Sequence, residues 1–317
     1  MSTFPRRSAL TAALLLAATL PLGAQSVPRG RWSIEHDRTR DRVQLSFRSL
    51  EEDDEHNGMT SFGVKPSELS GLSLATLDGA GDTASFRMVR DAGTIEFRGR
   101  VGERLGLGTY TFVPNAAFLG DLAKRGYGTA SDQEAFRLTL SGIGREFVER
   151  LDALHYVRPT IGELARMAMH GVDLDYLNGM AALGFNSRSA AELTRLRDHG
   201  VTPAFVTGLK RVGLTDLTPQ EYTRARDHGV TPEYVQDLKS VGYTDLRSDD
   251  YVRARDHGVD ASLARGFADV GYKGLPIETL IRMQDHGVTP AYAKAIRRDG
   301  TAPTPEELVR WRDRGER

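Results

Sequence analysis

The chain has 317 residues, 39% of them hydrophobic and 27% charged, ordinary proportions for a globular protein and enough length for two domains of typical size. The formal net charge is −1, so no strong positive field draws it to nucleic acid or to an anionic membrane surface. There is no cysteine, which excludes disulfides and thiol chemistry and leaves stability to burial.

Residues 1–24 read as a secretory signal peptide. Arg6 and Arg7 form a short basic start, and Ala9 to Leu20 is an uncharged apolar run too short to cross a bilayer. Leu22-Gly23-Ala24 ends on a small residue suited to cleavage. The arginine pair leaves general secretion and twin-arginine export both open. Removal of this segment takes two arginines and no acid, for a mature net charge of −3. A periplasmic or extracellular location is therefore expected. No later apolar run has the length of a membrane span, so the mature form is expected not to span one.

Residues 30–113 read as a small antiparallel β-domain. Partial alternation marks strands over 32–36, 43–49, 85–90, 94–101 and 109–113, with Asp91-Ala92-Gly93 as a hairpin turn. The stretch Gly102 to Gly108 reads as a glycine-rich turn. Pro114 and Asn115 mark the join to a helical region.

Residues 114–317 carry a period. The pair His-Gly falls at 170, 199, 228, 257 and 286, always 29 residues apart. One step back lies Ser141-Gly142, and one step on, after a single deletion, lies Arg314-Gly315. Seven units of about 29 residues result, each reading as two helices. In the unit from Gly200, Thr202 is an N-cap with Pro203 at the first helical position, and Gly213 ends the helix. Thr218-Pro219-Gln220-Glu221 then opens a second helix with a capping box, and Gly229 closes it. The same box recurs at Ser131, Thr160, Ser189 and Thr304. One core register carries Phe118, Phe147, Tyr176, Phe205, Tyr234, Leu263 and Tyr292. The register four residues later carries Leu122, Leu151, Met180, Leu209, Leu238, Phe267 and Ile296. A lone helical pair cannot bury that stripe, whereas stacked pairs can. The expected fold is α+β in two domains, an antiparallel β-domain followed by an α-solenoid of about seven helix-turn-helix units.

The combination GTIEFRGRVGERLGLGTYTFVPN followed by units such as GVTPAFVTGLKRVGLTDLTPQEY resembles the extracytoplasmic, non-peptidase portion of bacterial BlaR1-like M56 metallopeptidases, and stand-alone secreted proteins of the same design. The resemblance covers most of residues 30–317. It implies no proteolysis, because the chain has no His-Glu-x-x-His.

Several sets of residues invite a chemical reading. The periodic histidines sit at helix C-termini, where the negative end of the helix favours a cation. The last unit has Arg314 in that place, and one imidazole per unit leaves neighbours too far apart to share a metal. No metal site and no cofactor are expected. Arg137, Arg166, Arg195, Arg224, Arg253, Arg282 and Arg310 recur at one register, six with an acid three residues earlier, and read as a salt-bridged surface. Arg197, Arg226, Arg255 and Arg312 flank the core face and are the candidate contacts for an acidic or peptidoglycan-like partner. The acidic run Glu51 to Gly58 imitates the start of a calcium loop but has Val64 where the loop needs glutamate. No nucleophile motif is present, so no catalytic residue is assigned. The leading reading is a periplasmic or secreted binding module for a protein or cell-envelope partner, without nucleic acid. The alternatives are an enzyme with a site in the β-domain or at the domain junction, drawing on Glu35, His36 or the acidic run, and a structural spacer.

Overall fold

The computed structural model describes residues 28–36, 42–49, 60–296 and 302–316. Residues 1–24, expected to be a signal peptide, and the acidic run 51–58 lie outside the described residues. The fold is α+β, an antiparallel sheet followed by helices in series.

Seven strands form one antiparallel sheet: β1 (Arg29–His36), β2 (Val43–Ser49), β3 (Thr60–Val64), β4 (Leu69–Ser70), β5 (Asp82–Arg90), β6 (Gly93–Gly102) and β7 (Leu105–Pro114). Their order is β3-β2-β1-β7-β6-β5-β4. The two outer strands are consecutive in the chain. Val64 and Leu69 can stand at most roughly 18 Å apart along five extended Cα steps. A flat sheet would hold its outer strands about 29 Å apart. The sheet must therefore curl.

Side chains fill the curl. On β1 the burial alternates strictly, and Trp32, Phe47, Phe86 and Phe97 lie within it, each 3% exposed or less. Their rings meet at 4.6–5.9 Å: Trp32 edge-on to Phe86 and Phe97, Phe86 stacked on Phe97, and Phe47 tilted against Phe97. The edge-on and stacked pairs are favourable for aromatic quadrupoles. The short helix α1 (Leu74–Asp78) brings Leu77 into the same core.

The glycines expected in a turn lie in strands instead, Gly102 at the end of β6 and Gly106 and Gly108 in β7. Gly106 pairs with Val101 and Ile34, and Gly108 with Gly99 and Trp32. A Cβ at Gly99 would meet the Leu107 carbonyl and the Trp32 ring. The glycines let two strands and an indole approach closely. The turn itself is Glu103-Arg104, both left-handed at φ 53° and 70°, the geometry of a two-residue hairpin. Their N–H groups donate to Gly79 and Leu77 carbonyls at 2.7 and 2.9 Å, bonds that offset the strain. Gly99→Ala is expected to destabilise the sheet by about 1–3 kcal/mol, as overpacking does, measured by urea unfolding.

The helices come in pairs: α2 (Ala116–Lys124) and α3 (Asp132–Ser141), α4 (Arg145–Ala153) and α5 (Ile161–Met169), α6 (Leu174–Ala182) and α7 (Ala190–Asp198), α8 (Pro203–Arg211) and α9 (Pro219–Asp227), α10 (Pro232–Ser240) and α11 (Ser248–Asp256), α12 (Ala261–Asp269) and α13 (Ile277–Asp285), α14 (Pro290–Ala295) and α15 (Pro305–Asp313). Odd-numbered helices from α3 pack each on the next, and so do even-numbered ones from α4. Local chemistry sets the ends. Full capping boxes form at Ser131, Thr160, Thr218 and Thr304. The bonds from Thr218 hold the Glu221 carboxyl below the usual range. At Ser189 only half of the box forms. Its hydroxyl accepts from the Glu192 N–H at 3.2 Å, while the Glu192 carboxylate lies 3.9 Å from Arg188.

The join between sheet and helices is packed. Phe136 of α3 sits in the sheet's core, its ring stacked on Tyr110 at 5.5 Å. Arg90 donates to the Thr139 and Leu140 carbonyls at 2.7 and 2.8 Å and to Glu68 at 2.7 Å. Burial pushes the Glu68 carboxyl up, but the hydrogen bond and charge of Arg90 outweigh it and leave the group below its ordinary value.

Candidate functional site

Arg197, Arg226, Arg255 and Arg312 stand in the last turn of α7, α9, α11 and α15. Each guanidinium lies over the aromatic ring that opens the first helix of its own unit: Tyr176 at 5.2 Å, Phe205 at 5.3 Å, Tyr234 at 5.0 Å and Tyr292 at 5.0 Å. A cation over the negative face of a ring contributes about 0.5–1 kcal/mol at an exposed site. Arg197 also donates from Nε to the Gly171 carbonyl at 2.8 Å. The side chains thus tie the two helices of a unit together, and stacking holds each guanidinium plane in place. Arg226, Arg255 and Arg312 remain exposed and Arg197 half-buried. The same register carries Thr139, Ala168 and Gln284 in the other units, so the stack occurs in four of the seven. Helices packed side by side are roughly 8–10 Å apart, which sets the repeat of the Arg197, Arg226 and Arg255 row.

The histidines occupy the C-cap positions of α5, α7, α9, α11 and α13. What fills their hydrogen-bonding capacity lies in the following unit. His170, His199, His228, His257 and His286 place Nδ1 2.6–2.8 Å from Asp198, Asp227, Asp256, Asp285 and Asp313. The pairs are 37–50% exposed, so each contributes little alone. Among the described residues, no group of three or more His, Asp or Glu is placed to hold a metal ion.

The second arginine row differs from the expected pattern of pairs within one helix. Glu134, Glu163, Glu221 and Glu307 turn back to cap their own helices. Arg224 and Arg253 reach forward instead, to Asp249 at 2.9 Å and to Glu278, and Arg282 reaches Glu306. Of the expected pairs, Arg253 with Asp250 forms, at 3.1 Å. The capping bond wins because the backbone N–H offers a fixed nearby donor, whereas a surface ion pair must immobilise two long chains.

In the β-domain, His36 is 8% exposed and its Nδ1 lies 2.7 Å from Asp78 at the end of α1. Asp78 has no signal in the sequence, because α1 is one short turn. Glu35 points to the opposite, exposed face of β1. The sheet's alternation therefore keeps these two acid–base candidates apart.

No family model matches this chain, and no curated protein matches it. Among the described residues, no helix is long and apolar enough to cross a membrane.

Proposed function

We propose that the chain is a non-catalytic binding module of the cell envelope, in which residues 114–317 stack as an α-solenoid and the ring-stacked arginines meet an acidic partner. The observation that carries this reading is the set of guanidinium groups held over Tyr176, Phe205, Tyr234 and Tyr292. A stacked guanidinium keeps its in-plane N–H donors available, and its ordering entropy is already lost before a ligand arrives. The solenoid reading is supported by bonds that link one unit to the next. The buried Tyr176 and Tyr234 hydroxyls donate to the Val201 and Val259 carbonyls at 3.1 and 2.7 Å. Lys239 donates to the Val212 carbonyl at 2.6 Å. Arrays of this kind present extended surfaces suited to binding. Secretion through a signal peptide in residues 1–24, and the likeness to the extracytoplasmic portion of BlaR1-like proteins, put the partner in the envelope under this reading. The enzyme alternative draws on the His36–Asp78 pair, which has no nucleophile assigned to it.

The test uses a fluorescein-labelled glutamate 20-mer by anisotropy and purified peptidoglycan by sedimentation. The quadruple variant R197Q/R226Q/R255Q/R312Q is expected to bind about tenfold more weakly, roughly 1.4 kcal/mol or about 0.35 kcal/mol per cation, within the range of exposed charge pairs. Circular dichroism checks that the variant is folded. Equal binding by the variant, or saturable binding of neither probe, overturns the proposal.

A further inference from the structure

The repeat pattern breaks at one place. Arg188 stands at a register where the other six units carry Ala130, Pro159, Leu217, Leu246, Leu275 and Pro303, all apolar. It precedes α7, in the loop that leaves α6. A cavity of about 120 Å³ opens beside it, between the end of α6, Lys210 of α8 and Tyr222 of α9. A water molecule takes up about 30 Å³ in the liquid, so this space suits a group of several heavy atoms.

The polar atoms around the cavity are donors short of acceptors. Tyr222 is 1% exposed and its hydroxyl has no hydrogen-bond partner; the Nε of Arg188 is likewise buried without a hydrogen bond, its ion-pair contact being Glu192 at 3.9 Å. One unit further on, the equivalent Tyr251 hydroxyl donates to the Tyr243 carbonyl at 3.3 Å. Buried polar atoms are normally paired, and each exception calls for an explanation. Lys210 reaches the Leu183 carbonyl at 3.4 Å, whereas its counterpart Lys239 makes the same contact at 2.6 Å, so Lys210 keeps donors to spare. The nearest acids are partly occupied. Glu192 stands 3.9 Å from Arg188 Nε, and Asp216 accepts from the Thr215 hydroxyl at 3.0 Å.

We propose that this cavity, walled by Arg188, Lys210 and Tyr222, binds a small oxyanion, a carboxylate or a phosphate. The guanidinium fork matches two oxygens of such a group, and the ammonium and phenol supply further donors. The Arg188 side chain is 42% exposed, which leaves a way in from solvent. The Tyr222 hydroxyl is a donor at neutral pH in any case, and desolvation raises it further above its ordinary pKa. The site is separate from the row of ring-stacked arginines and does not depend on it.

The experiment measures the thermal midpoint of the full chain in sodium phosphate and in sodium acetate, each against sodium chloride of equal ionic strength. Either anion, near saturation, is expected to raise the midpoint by roughly 2–4 °C. Which of the two acts distinguishes a phosphate from a carboxylate ligand. Arg188→Leu restores the residue type of the other units and should fold at least as well, but lose the rise. Arg188→Gln is the second variant if the first misfolds, and Tyr222→Phe should reduce the rise. No rise with either anion, or an equal rise in the Arg188 variants, overturns the proposal.

Discussion

Phe136→Ala is expected to destabilise the protein by about 3–5 kcal/mol, the usual result of deleting a buried aromatic ring. Phe136 belongs to α3, yet its ring packs among Phe47, Tyr110 and Phe112 at 5.3–6.1 Å. The damage should therefore appear in the sheet. Hydrogen exchange should show protection lost in β1, β2 and β7 together with α3. Loss confined to the helices would show that α3 does not close the sheet's core. The Arg90 bonds to the Thr139 and Leu140 carbonyls hold the same helix from outside. A cut at residue 114 would thus strip the sheet of a helix that its core uses.

Leu238→Ala, near the middle of the helical series, is expected to cost about 2–5 kcal/mol, because Leu238 is fully buried. Here the effect should be graded. α10 packs on α8 and α12, so protection should fall most in those helices and fade toward the sheet. A system of units that touch only their neighbours behaves in this way. Loss of equal size in β6 and α10 would sink the nearest-neighbour account and, with it, the solenoid reading under the proposed function. The two substitutions separate the regions: one helical residue should disturb the sheet, and the other should leave it protected.

Features governed by bonds between residues close in the chain are legible in the sequence alone. The N-caps at Thr202 and Thr231 accept from the Phe205 and Tyr234 N–H groups as their spacing implies. Gly213 and Gly229 take the left-handed φ of 94° and 69° that ends a helix. The buried stripe from Leu122 to Ile296 follows from a helical period repeated in every unit. Four of the five expected capping boxes are complete. The fifth, at Ser189, is diverted toward Arg188, a residue whose departure from an apolar register is itself visible in the sequence.

Contacts between residues distant in the chain are decided by the tertiary structure alone. His199 and Asp227 are 28 residues apart and meet only because α7 packs on α9. The helical period places the four candidate arginines on the flank of each helix, but the ring beneath each lies some 20 residues earlier, and nothing local brings it there. In the sheet, Gly99, Gly106 and Gly108 carry no alternation of their own. Composition alone makes Gly106 and Gly108 a turn, and the close approach that they and Gly99 allow between β6, β7 and the Trp32 indole emerges only when β1, β6 and β7 lie side by side. β4 and α1 are two and five residues long, too short for a period to show. Their conformation is imposed by the sheet that they close, and the meeting of His36 with Asp78 is a result of that packing. Local hydrogen bonds and periodic burial are written in sequence because each acts over a few residues; the pairing of distant groups depends on how the elements stack, a choice that the free energy of the whole core makes.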